Sequence, residues 1–103
     1  MVHLSCEKAL RAALDAKSRG VNIFVESVLP HFLLDKSHAE RPGVEGMKHV
    51  MSPPLRAKHN QDALWKALST GSIDTVGTDH CPFDTEQKLL GKDSFVNIPN
   101  GIP

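Results

Sequence analysis

The residues best suited to chemistry in this chain of 103 residues stand in one short stretch, Thr75-Val76-Gly77-Thr78-Asp79-His80-Cys81-Pro82-Phe83. Ile73, Thr75 and Val76 favour extended structure, and Gly71 and Pro82 punctuate either side, so Ile73 to Gly77 read as a short buried strand. That strand delivers Asp79, His80 and Cys81 to its C-terminal edge, where ligands and catalytic groups gather in parallel α/β architectures. By spacing alone Asp79 reads equally well as a functional carboxylate or as a cap or turn aspartate. His3, Cys6, His80 and Cys81 contain the donor types of a zinc site, but their spacing matches no structural zinc module. Both cysteines read more simply as small buried residues. His3, at a strand end, reads on its own as a hydrogen-bonded core histidine, and His80 as a structural or orienting neighbour of Asp79. His31, His38, His49 and His59 fall in loop or helix-entry positions and read as solvated.

The elements that must position these groups follow from pattern. Met1 to Leu4 read as the end of a strand running into Ser5 as a helix cap. A helix is expected from about Cys6 to Arg19, with Ala9, Leu10, Ala13, Leu14 and Ala16 at helical spacing, Glu7 in its first turn, Lys17 and Arg19 in its last and Gly20 beyond. Val21 to Val28 are rich in β-branched residues and read as a buried parallel strand closed by Pro30. His31 to Lys48 read as a long loop with Phe32-Leu33-Leu34 as its apolar cluster, a length that marks a loop as functional or disordered. Pro53 and Pro54 hold Val50 to Arg56 extended as a rigid arm. Asn60 is placed to cap a second helix through Thr70, with Ala63, Leu64, Ala67 and Leu68 on one face. Asp84 or Thr85 can cap one or two helical turns through Leu90, before a turn-rich tail at Asn97-Ile98-Pro99-Asn100-Gly101. Strand end, helix, strand, loop, helix and strand make two successive parallel α/β units in a single segment, 1–103, which leave one sheet face and both edges open.

Composition narrows the function classes. Basic and acidic residues balance at 12 each, which gives no electrostatic footprint for nucleic acid or an anionic membrane. No apolar run is long enough to span a bilayer and the N-terminus lacks the regions of a signal peptide, so a soluble, cytoplasmic protein is expected. Cys6 and Cys81 form no CxxC pair and suggest no disulfide framework.

Taken in order, Val2-His3-Leu4-Ser5, Met51-Ser52-Pro53-Pro54-Leu55-Arg56, Thr78-Asp79-His80-Cys81-Pro82-Phe83 and Ile98-Pro99-Asn100-Gly101 closely resemble the C-terminal part of the catalytic barrel of dihydropyrimidinases and hydantoinases, within the cyclic amidohydrolases. The resemblance runs over essentially the whole chain. The Ser-Pro-Pro-Leu-Arg and Thr-Asp-His-Cys-Pro-Phe segments are specific in combination, while Val-His-Leu-Ser alone is weak. Cys81 after the Asp-His pair favours this branch over dihydroorotases and allantoinases, which more often carry Ala there.

The resemblance implies an α/β fold, here about the last three strands of a TIM-type (β/α)8 barrel with their helices. In the complete family site two divalent metals, usually zinc, sit at the strand ends. His3 is similar to the histidine ligand of the sixth strand and Asp79 to the aspartate of the eighth, which is both metal ligand and catalytic base. Ser52 and Asn100 are similar to the residues whose backbone groups hold the cyclic amide. The His-x-His pair, carboxylated lysine and further histidine of the family have no counterpart in these residues. The implied activity is opening of 5,6-dihydropyrimidines or hydantoins to N-carbamoyl amino acids, in a homo-oligomeric complete enzyme, with the isolated 103-residue chain inactive. Two alternatives stand beside it: a non-catalytic relative acting in protein association, and an allantoinase or dihydroorotase.

Overall fold

The computed structural model describes residues 1–103 as an α/β arrangement in which two helices and a short parallel sheet hold the carboxyl ends of the strands together. Helix α1, Glu7–Ser18, has the expected polarity, with Glu7 in its first turn and Lys17 in its last. Its cap differs from expectation. Ser5 is buried and accepts a bond from Arg56 Nε at 3.0 Å, leaving Cys6 as a cap residue with no side-chain bond of its own. The Glu7 amide is satisfied from another helix: Asn60 Oδ1 accepts it at 3.0 Å. Asn60 lies inside helix α5, His59–Ser69, rather than at its cap, and is buried where the two helices meet. An amide that reads locally as a start signal for α5 therefore caps α1.

The sheet is smaller than the pattern implied. Strand β1 is Glu26–Val28 and β2 is Thr75–Gly77, paired in parallel with Ser27 opposite Val76. Asp74 starts β2 with a two-way hook to β1: its amide donates to Val25 O and its Oδ2 accepts from Val25 N at 2.7 Å. That bond, followed by one from Lys17 Nζ, holds the Asp74 carboxyl below the usual carboxylate range. Met1 to Leu4 run beside β1 without forming a regular strand. Glu26 donates to Met1 O and accepts from Leu4 N, both at 2.8 Å, which encloses one residue more than a regular parallel bridge. The extra residue is absorbed at His3, whose φ is 54°. Nor is β2 buried as expected, since Thr75 and Val76, on opposite faces of the strand, are both exposed.

The expected long loop is instead largely helical. Helix α2, Leu29–Leu33, follows β1 without a break, because Pro30 is tolerated in a first helical turn where no amide is required. Two further single turns follow: α3, Lys36–Ala39, closed by an Asp35–His38 capping box, and α4, Val44–Met47. Local side-chain bonds to the backbone stabilise turns too short to show a helical period. Helix α6, Thr85–Leu89, carries the expected Asp84 cap, reciprocated by Gln87, and a 3-10 turn at Phe95–Asn97 leads to the tail.

One core joins Leu4, Leu10, Ala13, Val25, Phe32, Leu64, Ala67 and Ile73, packing α1 and α5 against β1 and α2. Of the Phe32-Leu33-Leu34 cluster only Phe32 is fully buried; Trp65 packs on it at 4.9 Å and donates its indole N–H to Phe32 O. A second core of Val28, Met51, Leu55 and Ile102 lies under the extended arm and the tail.

Candidate active site

The irregular N-terminal segment beside β1 and the turn that follows β2 bring His3 and Asp79 together. His3 Nε2 lies 3.9 Å from Asp79 Oδ1, with about a third of each side chain exposed. Both residues hold left-handed backbone, φ 54° for His3 and 51° for Asp79. Non-glycine residues there cost of order 1 kcal/mol, less for Asp and His than for β-branched residues, and such positions concentrate at functional sites. Neighbouring structure holds the strain in place. Leu4 is fixed by its amide bond to Glu26 and by Ser27 Oγ donating to Leu4 O at 2.6 Å, while His80 forms a parallel bridge with Ile102 on the other side of Asp79.

Behind this pair sits His31, on α2. It was expected to be solvated, yet it is 3% exposed and neither ring nitrogen has a hydrogen-bond partner. Burial chiefly, then the charge of Arg56 and the neighbouring His3, lower its pKa to about 4 against the opposing pull of Asp79. The ring is therefore neutral at physiological pH and within electrostatic reach of both His3 and Asp79. The signal available in sequence was its neighbours: Val28, Leu29, Pro30 and Phe32 are apolar on both sides of it.

Ser52 and Asn100 also meet, Ser52 Oγ donating to Asn100 Oδ1 at 3.1 Å. The arm that carries Ser52 is extended as expected, with a cis Ser52–Pro53 peptide, and is anchored at Arg56 through Ser5 and through Lys36 N to Arg56 O at 2.8 Å. Beside the pair lies a groove of about 490 Å³ walled by Met51, Leu55, Phe95 and Val96. The tail reaches back to the Asp79 turn through Cys81 N donating to Ile102 O at 3.0 Å. Gly101, φ 150°, is required for that contact, because a Cβ there would stand 2.4 Å from Cys81 O.

His3 and Asp79 form a donor pair of the right chemistry for zinc, imidazole nitrogen and carboxylate oxygen, at a separation that an ion about 2.0–2.2 Å from each can bridge. They are two donors, and no group of three or more His, Cys, Asp or Glu side chains converges anywhere in the chain. Cys6 and Cys81 do not join them: Cys6 is half-buried at the start of α1, and Cys81 is exposed rather than the small buried residue expected. His38 and His49 pack against each other at a tilt, with ring centres 5.3 Å apart, and bond to local carbonyls, and His59 is exposed on α5. No helix is long and apolar enough to cross a membrane.

No family model matches the chain. Over its whole length it is 44% identical to the D-hydantoinase of Geobacillus stearothermophilus, of which it spans 22%. The structure superposes on D-hydantoinase (dihydropyrimidinase) from Thermus sp. with a TM-score of 0.97 at 72% identity, covering 99% of this chain and 22% of that one. A more distant likeness is L-hydantoinase (dihydropyrimidinase) from Arthrobacter aurescens, with a TM-score of 0.81 at 29% identity and the same 22% share. The chain thus spans about a fifth of the length of the proteins it matches.

Proposed function

We propose that the chain is a segment of the D-hydantoinase and dihydropyrimidinase family, whose members it matches over its own whole length, and that it supplies strand ends to the site of a metal-dependent cyclic amidohydrolase. In this reading residues 1–103 form one segment of a TIM-type (β/α)8 barrel, with Met1 to Leu4, β1 and β2 as its last three strand positions. The observation that carries it is the convergence of His3 and Asp79 at 3.9 Å on two left-handed turns. The substrate is a 5,6-dihydropyrimidine or a hydantoin, opened to an N-carbamoyl amino acid.

His3 and Asp79 would each donate one atom to zinc, further ligands coming from outside these residues. Zinc, when bound, supplies Lewis acidity and a water that ionises near neutral pH. Asp79 accepts the proton of the attacking water and returns it to the departing ring nitrogen, a general base and then acid role worth roughly 10²–10⁴-fold. Backbone groups of Ser52 and Asn100 hold the donor and acceptor edges of the planar ring. The groove beside them, walled by Phe95 and Val96, receives the ring substituent.

The test is a chimera in which residues 1–103 replace the matching segment of the Thermus enzyme. Hydrolysis of hydantoin or dihydrouracil is expected, with kcat falling by at least about 10²-fold in Asp79→Asn. An inactive but folded, metal-loaded chimera overturns the reading in favour of a non-catalytic role in protein association. Turnover of allantoin or dihydroorotate in preference to both rings assigns the other branch.

A further inference from the structure

Helix α6 carries a lysine that no local pattern distinguishes from a surface residue, yet Lys88 is 1% exposed and is the largest side chain enclosed by the structure. Its ammonium has no solvent to bond. Each of its N–H groups is instead given to a backbone carbonyl: Pro99 O at 2.6 Å, Gly101 O at 2.7 Å and Val50 O at 3.1 Å. An ammonium has three donors and no acceptor, so this set uses its full capacity. The Phe83 ring lies 5.3 Å from the same charge.

The identity of the three carbonyls is what matters. Val50 precedes Ser52 on the extended arm, and Pro99 and Gly101 flank Asn100 on the tail. Gly101 N also donates to Val50 O at 3.1 Å, and Ser52 bonds to Asn100 directly. A single buried charge thus ties together the two loops that carry the proposed substrate contacts, at a point where neither loop has regular secondary structure to fix it. Burial lowers the pKa of Lys88 below the ordinary lysine value, while three carbonyl dipoles favour keeping its proton. An ammonium left without such bonds in this place would be costly, and carbonyls left without it would be unpaired.

We propose that Lys88 is a positioning residue: a charged tether that sets the distance and orientation of Ser52 relative to Asn100, and through them the fit of the cyclic amide. The proposal rests on the reading of those two residues given above. It touches neither metal nor reacting atoms. Removing the tether loosens ground-state and transition-state contacts alike, so the loss falls on KM rather than on kcat.

Two measurements test it, one independent of activity. In the 103-residue chain itself, nitrogen NMR should show the Lys88 ammonium protons in slow exchange at neutral pH, with scalar coupling to the carbonyls of Val50, Pro99 and Gly101. An ammonium signal averaged with the other lysines overturns the tether outright, whatever the chain catalyses. In the active chimera, Lys88→Met is expected to raise KM by about 10- to 100-fold with kcat within a few-fold and zinc content unchanged, since weakening one or two hydrogen bonds to the ring costs affinity on that order. Lys88→Arg, which keeps charge and donors, should recover part of the affinity. Equal loss of kcat and metal in Lys88→Met, or unchanged KM in a folded variant, overturns the proposal. An inactive chimera with the slow ammonium present would count against the catalytic reading and leave the tether standing.

Discussion

His3 Nε2 and Asp79 Oδ1 lie 3.9 Å apart although the two residues stand 76 positions apart in the sequence, and both hold left-handed backbone to reach that point. The turn conformation is what aims the two side chains at one another. If it is strained, glycine and alanine at position 79 should differ in a way that side-chain loss alone does not explain. Asp79→Gly is expected to be more stable than Asp79→Ala by about 1 kcal/mol, since glycine adopts φ near 51° without a Cβ penalty. Urea unfolding of the two variants checks this, and equal midpoints would mean the turn is unstrained. Neither variant should support turnover.

His31 gives the fold a pH dependence whose sign is fixed by its burial. Its pKa is lowered in the folded chain to about 4 from 6.5, so the unfolded chain binds its proton first. The stability it contributes is full above pH 6.5 and is lost as pH falls toward 4. With one pKa unit corresponding to about 1.4 kcal/mol, the loss across that window is of order 3 kcal/mol. Asp35, Glu45 and Asp74, also lowered, add their losses only toward the acid end. Urea midpoints measured from pH 7 to 4.5 should fall steeply in the native chain and much less in His31→Leu.

Most of the large elements were legible because they carry a period. Helices α1 and α5, the Asp84 cap and the parallel order of β1 and β2 follow from apolar spacing and from cap chemistry. What escaped the sequence is what tertiary partners decide. Asn60 has the chemistry of a cap and caps, but for a helix that its own position does not reveal. The turns α3 and α4 are each a single turn, the first held by its capping box and the second without a side-chain cap, and both lie below the length at which periodicity can appear. At the candidate site, residue types were readable and geometry was not: nothing local forces His3 into a left-handed turn, and the apolar neighbours of His31 hint at burial without saying what it lies behind. Lys88 is the extreme case, since its carbonyl partners lie in two distant loops.

The apolar surface left open predicts association. Phe24 is 70% exposed and Val2 64%, and the outer edge of β2 has no strand beside it. Unpaired strand edges next to apolar side chains template pairing with another chain. The isolated 103-residue chain should therefore self-associate with rising concentration in sedimentation, and Phe24→Lys should shift it toward monomer. A monodisperse monomer with a sharp cooperative melt would contradict this.

Zinc binding by the isolated chain should be weak, and the reason is arithmetic of donors. A hydrolytic zinc site needs three protein ligands and an open position, and a binuclear one needs more, whereas His3 and Asp79 supply two. The pair is also incompletely preorganised, since about a third of each side chain meets solvent and the imidazole and carboxylate are free to turn apart. Calorimetric titration of the purified chain should show no saturation at micromolar zinc, and no N-carbamoyl product should form from dihydrouracil or hydantoin above a zinc-only background. Asp79→Ala serves as the control for any residual signal. Tight stoichiometric zinc with turnover that disappears in Asp79→Ala would show instead that copies of the chain complete the site by assembling, each contributing its His3 and Asp79 to a shared metal centre.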